Sequence, residues 1–203
     1  MKRKPQYYLY RILLELIHPI EQVISICKFM FWGVKLGKGI QFLGIPGIRN
    51  LNRIQIGDST RIISGARNLV GSDVKTYFET GQNGNICIGS RVGMSNCVLI
   101  SQESITIEDQ VYIGGGTRIY DNDFHSINFN DRIYRPGLIP TAPIIIKAGS
   151  FIGGHSIILK GVVIGRQSVV GAGSVVTKSI PDFEIWAGVP ARKIGSIEQK
   201  YAI

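Results

Sequence analysis

From Ile146 onward the chain counts in sixes. It reads IKAGSF, IGGHSI, ILKGVV, IGRQSV, VGAGSV and VTKSIP. The first position is always aliphatic: Ile146, Ile152, Ile158, Ile164, Val170 and Val176. The fifth is mostly small: Ser150, Ser156, Val162, Ser168, Ser174 and Ile180. Gly153, Gly165 and Gly171 stand at second positions. Neither a helix of period 3.6 nor a strand of period 2 gives this count. A short strand, a tight corner and another short strand do. One aliphatic side chain then points inward per hexad, and a small residue fills the space beside the corner. Stacked coils bury a continuous aliphatic column, each stable only against its neighbours.

The same beat runs earlier in the chain. Ile56 and Ile62 open two hexads, and Ile88, Met94 and Ile100 open three more. After a one-residue slip, Ile107, Ile113 and Ile119 continue it. Inserted loops are expected near 68–85 and 126–143. Before the repeat, Leu9, Ile12, Leu13, Leu16, Ile17, Ile20, Val23, Ile24 and Cys27 fall at helical spacing. Pro19 is expected to split or kink that segment. The pattern therefore predicts an all-β repeat over 36–181, preceded by a helical cap over 1–35 and followed by a C-terminal segment over 182–203.

Charge adds one feature. The net charge is +9, and residues 1–50 hold eight cations against Glu15 and Glu21. Lys2, Arg3 and Lys4 lead the chain. A basic end suits anionic lipid, an acidic substrate or nucleic acid. No recognition motif accompanies the charge, so nucleic acid is not expected as a partner. The helix over residues 1–33 is either a cap on the open end of the repeat, or a trimer contact, or an interfacial helix touching membrane. No uncharged run approaches the ~20 residues of a membrane span, and no secretory signal is evident. The three cysteines, Cys27, Cys87 and Cys97, include no C-x-x-C pair. They suggest neither a disulfide framework nor a zinc site, and fit a reducing cytoplasm.

The count breaks at DNDFHS, Asp121 to Ser126, which contains one of three histidines. Histidine suits general-base work because its ordinary pKa of ~6.5 lets it take and return a proton. Counting from Ile119 puts Asp123 at an inward fifth position, where a carboxylate is costly unless paired. Asp123 either orients His125 or ends the regular coil; Asp121, near a corner, is the other candidate orienting group. His155 falls at a corner facing out, and His18 in the helical stretch.

Two signatures accompany the hexads: WAGVPARK, Trp186 to Lys193, following TKSIP, and the DNDFHS break. With them the chain resembles the hexapeptide-repeat acyltransferases over about Leu36 to Ile194. Their fold is a left-handed parallel β-helix. The ending resembles the maltose, galactoside and serine acetyltransferase branch. The break resembles bacterial surface-polysaccharide O-acetyltransferases. The resemblance implies a homotrimer with acetyl-CoA between neighbouring prisms, and it matches His125 to the general base. It places Gly154, Ala172, Thr177, Lys178 and Arg192 at cofactor-contact positions; many relatives carry Ser where Gly154 stands. Ser95 and Asn96 match an acceptor-binding region, but the Asp of the galactoside pattern is absent, which argues against a simple galactoside or maltose acceptor. The loop after His125, with Asn128, Asn130, Asp131, Arg132, Tyr134 and Arg135, either closes over a polar glycan or forms a solvated trimer edge. No metal is expected, since His18 lies outside the coils and the three-histidine set of same-fold metalloenzymes cannot assemble. The implied function is O-acetylation of a sugar hydroxyl in surface-polysaccharide synthesis, in the cytoplasm or at the inner face of the membrane. N-acetylation of an amino-sugar nucleotide and a non-catalytic scaffold are the alternatives.

Overall fold

A computed structural model describes residues 5–68, 74–134 and 139–198. Lys2, Arg3, Lys4 and Arg135 lie outside the described residues. Three parallel sheets form the sides of a prism. The first runs through Lys35–Leu36, Arg53–Ile56, Asn85–Ile88, Ser104–Ile107, Ile144–Ile146 and Val163–Ile164. The second runs through Gln41–Leu43, Arg61–Ile63, Gly93–Ser95, Tyr112–Ile113, Phe151–Ile152, Val169–Val170 and Glu184–Ala187. The third runs through Gly47–Asn50, Tyr77–Thr80, Val98–Ser101, Arg118–Tyr120, Ile157–Leu159 and Val175–Val176. Each turn of the chain contributes one strand to each sheet, which makes a parallel β-helix.

The hexad column is the core. Ile146, Ile152, Ile158, Ile164, Val170 and Val176 are all buried, and Ser150, Ser156, Ser168 and Ser174 are buried beside them. These serine hydroxyls donate to corner carbonyls, as Ser156 does to Gly153 at 2.7 Å. Along the first-to-second edge the chain turns through Ser59, Arg91, Gln110 and Gln167 in the left-handed region, with φ of 55°, 57°, 59° and 52°.

Two parts of the expected register differ. Ile100 faces out, and Leu99 is the buried residue, paired with Phe78 and Ile119. The slip therefore falls at Asn96–Cys97, where two adjacent buried residues shorten the step from Met94 to the next inward position. The first insertion also begins and ends earlier than 68–85. Tyr77–Thr80 and Asn85–Ile88 are coil strands. Phe78 occupies the aliphatic column there, and a search for Ile or Val passes over it. The second insertion spans the corner between Arg118–Tyr120 and Ile144–Ile146. The C-terminal segment continues the prism: Glu184–Ala187 pairs with Val169–Val170, and Arg192–Ser196 folds back antiparallel on it.

The helix α1 (Pro5–Phe31) closes the N-terminal end. Pro19 removes one backbone rung without ending it. Phe29 is fully buried, with its ring 4.9 Å from Phe42 and 5.7 Å from Phe78. The Gln22 amide donates to the Ile40 carbonyl, and its oxygen accepts from the Phe42 N–H. Glu21 is bridged by Arg67 from the first insertion at 2.6 Å.

A polar ladder replaces the aliphatic column at one corner. Asn50, Thr80, Ser101 and Asp121 follow one another coil by coil along the third-to-first edge. The Thr80 hydroxyl donates to Asn50 Oδ1 and accepts from the N–H groups of Leu51 and Asn52. Asp121, fully buried, accepts from Ser101 Oγ at 2.7 Å and from the N–H groups of Gln102 at 2.8 Å and Glu103 at 2.9 Å. Each rung caps the corner of the coil before it.

Two outcomes follow for stability. Phe29→Ala opens the capped end and should cost about 3–5 kcal/mol, read from urea unfolding. Asp121→Ala removes the acceptor of two part-buried N–H groups, Gln102 and Glu103, and one of the two acceptors of the Ser101 hydroxyl. It should cost roughly 3 kcal/mol in the same measurement, whereas His125→Ala, at an exposed position, should stay within about 0.5 kcal/mol of wild type.

Candidate active site

His125 stands at the third-to-first edge, on the second insertion. The neck of that insertion is held by backbone bonds. The Ala142 N–H donates to the Asp121 carbonyl at 2.9 Å, and the Asp123 N–H to the Pro140 carbonyl at 3.2 Å. Asn122 and Thr141 pair between them as an antiparallel bridge. Immediately beyond the neck the chain makes a γ-turn. The His125 N–H donates to the Asp123 carbonyl at 2.7 Å, across Phe124 with φ of 60°. This conformation is strained for a residue with a Cβ. Phe124 is held in it by its own N–H on Asn122 Oδ1 and by its ring edge-on to Tyr120 at 5.0 Å. Burial pushes the Tyr120 phenol above its ordinary pKa, so the platform stays neutral. The turn projects His125 into solvent.

The two aspartates exchange the places that the count assigned them. Asp121 is the inward residue, and Asp123 is only partly buried. The reason is alternation: after Ile119 the third-sheet strand continues with period 2, so the residue two further on faces in. Asp121 is not brought to the imidazole, because its carboxylate is taken up by Ser101, Gln102, Glu103 and the Asn122 amide. Asp123 turns its carboxylate to Lys160, whose Nζ donates to both oxygens at 2.7 Å. Lys160 was not legible as a site residue in the hexad count; it is a third-position residue of ILKGVV, where a solvated charge is the default.

The cofactor-contact candidates divide between two edges. Gly154 and Ala172 lie on the second-to-third edge, a strip of small residues that includes Gly114, Gly115, Gly116, Gly153, Gly171 and Gly173. Backbones approach closely here. A Cβ on Gly114 would lie 2.5 Å from the Gly154 nitrogen, and one on Gly154 would lie 2.9 Å from the Gly115 carbonyl oxygen. That second clash shows why this chain carries no serine at Gly154. His155 projects from the same edge, exposed, with φ of 59° and its ring over Gly116. Arg192 extends from the strand beside Ala187, at the C-terminal end of the prism. Thr177 and Lys178 stand instead on the third-to-first edge, above His125. Both Lys178 and Arg192 are exposed, and no described carboxylate pairs with either.

The acceptor candidates also part company. Asn96 is fully buried, and its amide donates to the Gly65 carbonyl at 3.2 Å, tying down the first insertion. It is not open to an acceptor. Ser95 lines a hollow of about 250 Å³ on the second sheet with Arg61, Tyr112 and Phe151, away from the His125 edge. In the second insertion, α2 (Phe129–Tyr134) is steadied by Arg132, which donates to the carbonyls of Ser126 and Ile127. Among the described residues, no group of three or more His, Cys, Asp or Glu side chains forms a metal cluster.

Known proteins resemble this chain in sequence and in fold. A family model described as the hexapeptide repeat of succinyl-transferase matches residues 143–178. A putative acetyltransferase of Staphylococcus aureus is 37% identical over 124 residues, which are 61% of this chain and 61% of that protein. The galactoside O-acetyltransferase of Escherichia coli is 35% identical over 128 residues, 61% of this chain and 59% of its own length. The matches thus span about three fifths of these curated relatives. Among solved structures, a variant of AntD, an N-acyltransferase from Bacillus cereus in complex with dTDP and coenzyme A, is 30% identical. The match covers 83% of this chain and 86% of that one, with a TM-score of 0.67. A hexapeptide-repeat acetyltransferase from Vibrio cholerae, complexed with acetyl coenzyme A, is 34% identical over 60% of this chain and 65% of its own, with a TM-score of 0.53. With the coil register, the glycine edge and the AGVPAR ending already in place, this extent of likeness is decisive: the chain belongs to the hexapeptide-repeat acyltransferases, the family of the left-handed parallel β-helix.

Proposed function

We propose that the chain is an acetyl-CoA-dependent O-acetyltransferase acting on a sugar hydroxyl, with His125 as general base. The observation that carries this reading is a histidine raised on a pinned, strained turn at an edge whose other residues are coil corners. A neutral imidazole takes the proton of the acceptor hydroxyl as that oxygen attacks the thioester carbonyl. The C–S bond breaks, CoA leaves as thiolate, and the imidazolium returns the proton to sulfur. No acyl-enzyme is required.

Acetyl-CoA fits the residues present. The glycine edge lets a polar pantetheine arm lie close to main chain, and Lys178 and Arg192, exposed cations with no carboxylate partner among the described residues, are suited to phosphates. The two halves sit on different edges of one prism: Gly154, Ala172 and Arg192 on one, His125, Thr177 and Lys178 on another. A homotrimer that sets one chain's third-to-first edge beside its neighbour's second-to-third edge joins them. We place the acceptor in bacterial surface-polysaccharide synthesis, with the enzyme on the cytoplasmic side.

N-acylation of an amino-sugar nucleotide is the second reading. AntD variants match over more of this chain than the O-acetyltransferase does, and one is bound to dTDP-4-amino-4,6-dideoxyglucose and coenzyme A. A neutral amine is already nucleophilic and needs no base to attack, so the dependence on His125 separates the two. CoA release with hydroxyl and amine sugar acceptors, for wild type and His125→Ala, tests this. For O-transfer the variant should lose a factor of about 10²–10⁴ in kcat with acetyl-CoA affinity unchanged. The product should lose its acetyl group in mild alkali, as an ester does and an amide does not. A variant as active as wild type removes His125 as the base.

The outward face of α1 supports a peripheral membrane contact. Ile12, Leu13, Leu16, Ile20, Val23 and Phe31 are exposed on the side opposite Ser25 and Phe29. No charged residue lies within that stripe, and Lys2, Arg3 and Lys4 precede it. Among the described residues no helix is long and apolar enough to cross a membrane, so the contact is one of lying on the surface. Wild type should sediment with phosphatidylglycerol vesicles and less with phosphatidylcholine, and Leu16→Glu/Ile20→Glu should stay in the supernatant. Equal sedimentation of both proteins, or a double variant whose only change is a smaller oligomer, would sink the membrane reading; the latter would assign the face to a second copy.

A further inference from the structure

We propose that Lys160 is a positioning residue for His125, acting through Asp123 from the neighbouring coil. The inference rests on His125 being the base.

The neck bonds fix the insertion only as far as Asp123. His125 is two residues beyond, across a turn that its own backbone strains to make. What holds this stretch is therefore decisive for where the imidazole stands. Asp123 is the near end of that turn, and its carbonyl accepts the His125 N–H at 2.7 Å. Its carboxylate is clamped by Lys160 Nζ, 2.7 Å from each oxygen. The side chains are 29% and 24% exposed for Lys160 and Asp123, so water screens the pair only in part.

Lys160 comes to this place by register. Tyr120 pairs with Leu159, so Lys160 leaves its strand beside the point where the insertion leaves the coil below. It is the next member of the ladder Asn50, Thr80, Ser101 and Asp121, and Lys178 follows it one coil further on. The ladder thus changes from neutral to anionic to cationic along the edge. The carboxylates nearest the neck are engaged elsewhere: Asp121 with the preceding corner, and Glu103 with the Thr141 hydroxyl at 2.7 Å. Among the described residues, Lys160 is the cation that holds Asp123.

The clamp has an electrostatic consequence. A carboxylate two residues from a histidine stabilises imidazolium, which cannot act as a base. With Lys160 on both oxygens, the Asp123 carboxylate is paired with a cation and turned to the coil. It then supports His125 through the backbone, without a direct bond from its carboxylate to the ring.

The test measures CoA-release kinetics across pH 5–9 for wild type, Lys160→Met, Lys160→Arg, Lys160→Met/Asp123→Asn and His125→Ala. Lys160→Met should lower kcat about tenfold or more, leave the KM for acetyl-CoA within twofold, and move the acid limb of kcat/KM to higher pH. Lys160→Arg should recover most of kcat, since guanidinium also clamps a carboxylate. The double variant should return the acid limb towards wild type while kcat stays low, because the charge is removed but the tether is not restored. Lys160→Met with wild-type kcat and pH profile, beside an inactive His125→Ala, would overturn the clamp and leave the base intact. A fully active His125→Ala would overturn both. A fall in kcat with an unmoved acid limb and no rescue by arginine would reduce Lys160 to a structural residue. If Lys160→Met does not fold, Lys160→Arg and the double variant decide by the same two readouts.

Discussion

Parallel stacking in register is the constraint on which the rest of the molecule depends. Each coil must return its inward residue to the same column, because a slip of one residue turns every following side chain to the other face. Aliphatic residues at fixed spacing satisfy this, and the corners take up whatever the count leaves over. Extra chain is therefore accommodated only at corners, where both ends of an insertion can rejoin the ladder. Both insertions of this protein obey that rule, and the second does so through its short antiparallel neck. The same rule leaves the bottom coil with an open apolar end, which Phe29 of α1 fills.

Chemistry on such a scaffold is confined to edges. The sheet interiors are filled and the faces are short strands, so a side chain that must reach substrate has to leave from a corner. His125 does so on a turn that a residue with a Cβ adopts at a cost, and that cost is offset by the Tyr120 platform, the Asn122 oxygen and the Lys160 clamp. The glycine edge has the opposite design. At Gly114, Gly153 and Gly154 its backbones are so close that an added Cβ would collide with a neighbouring coil, which leaves main chain as much of the available surface there. A protruding side chain and a bare backbone strip on separate edges are complementary between copies more readily than within one.

Buried polar groups mark where the repeat departs from its own pattern. Asn50, Thr80, Ser101 and Asp121 substitute a hydrogen-bonded ladder for an aliphatic one, and each is satisfied by corner N–H or hydroxyl groups. Asn96, with φ of 44°, serves the first insertion in a comparable way. These residues resemble site residues in a sequence because polar side chains at an irregularity attract attention. Their burial gives them to the architecture.

The sequence by itself determined the coil, since hexad periodicity is a local property of the chain and each inward residue after Ile146 is named by counting. It also singled out the break at His125, because nothing in a repeat requires a histidine there. It misjudged Ile100 for Leu99, and the stretch 77–85 for a loop, because one aliphatic residue beside another is ambiguous by one position and Phe78 does not look like a column residue. Tertiary structure alone decided which aspartate is buried, which groups hold Asp123, and which edge each candidate occupies. Those are contacts between coils, set by residues 18 or more apart in the chain, such as Glu103 with Asp121 and Asp123 with Lys160. A period describes how one coil follows another; it carries no information about which side chains meet when they stack.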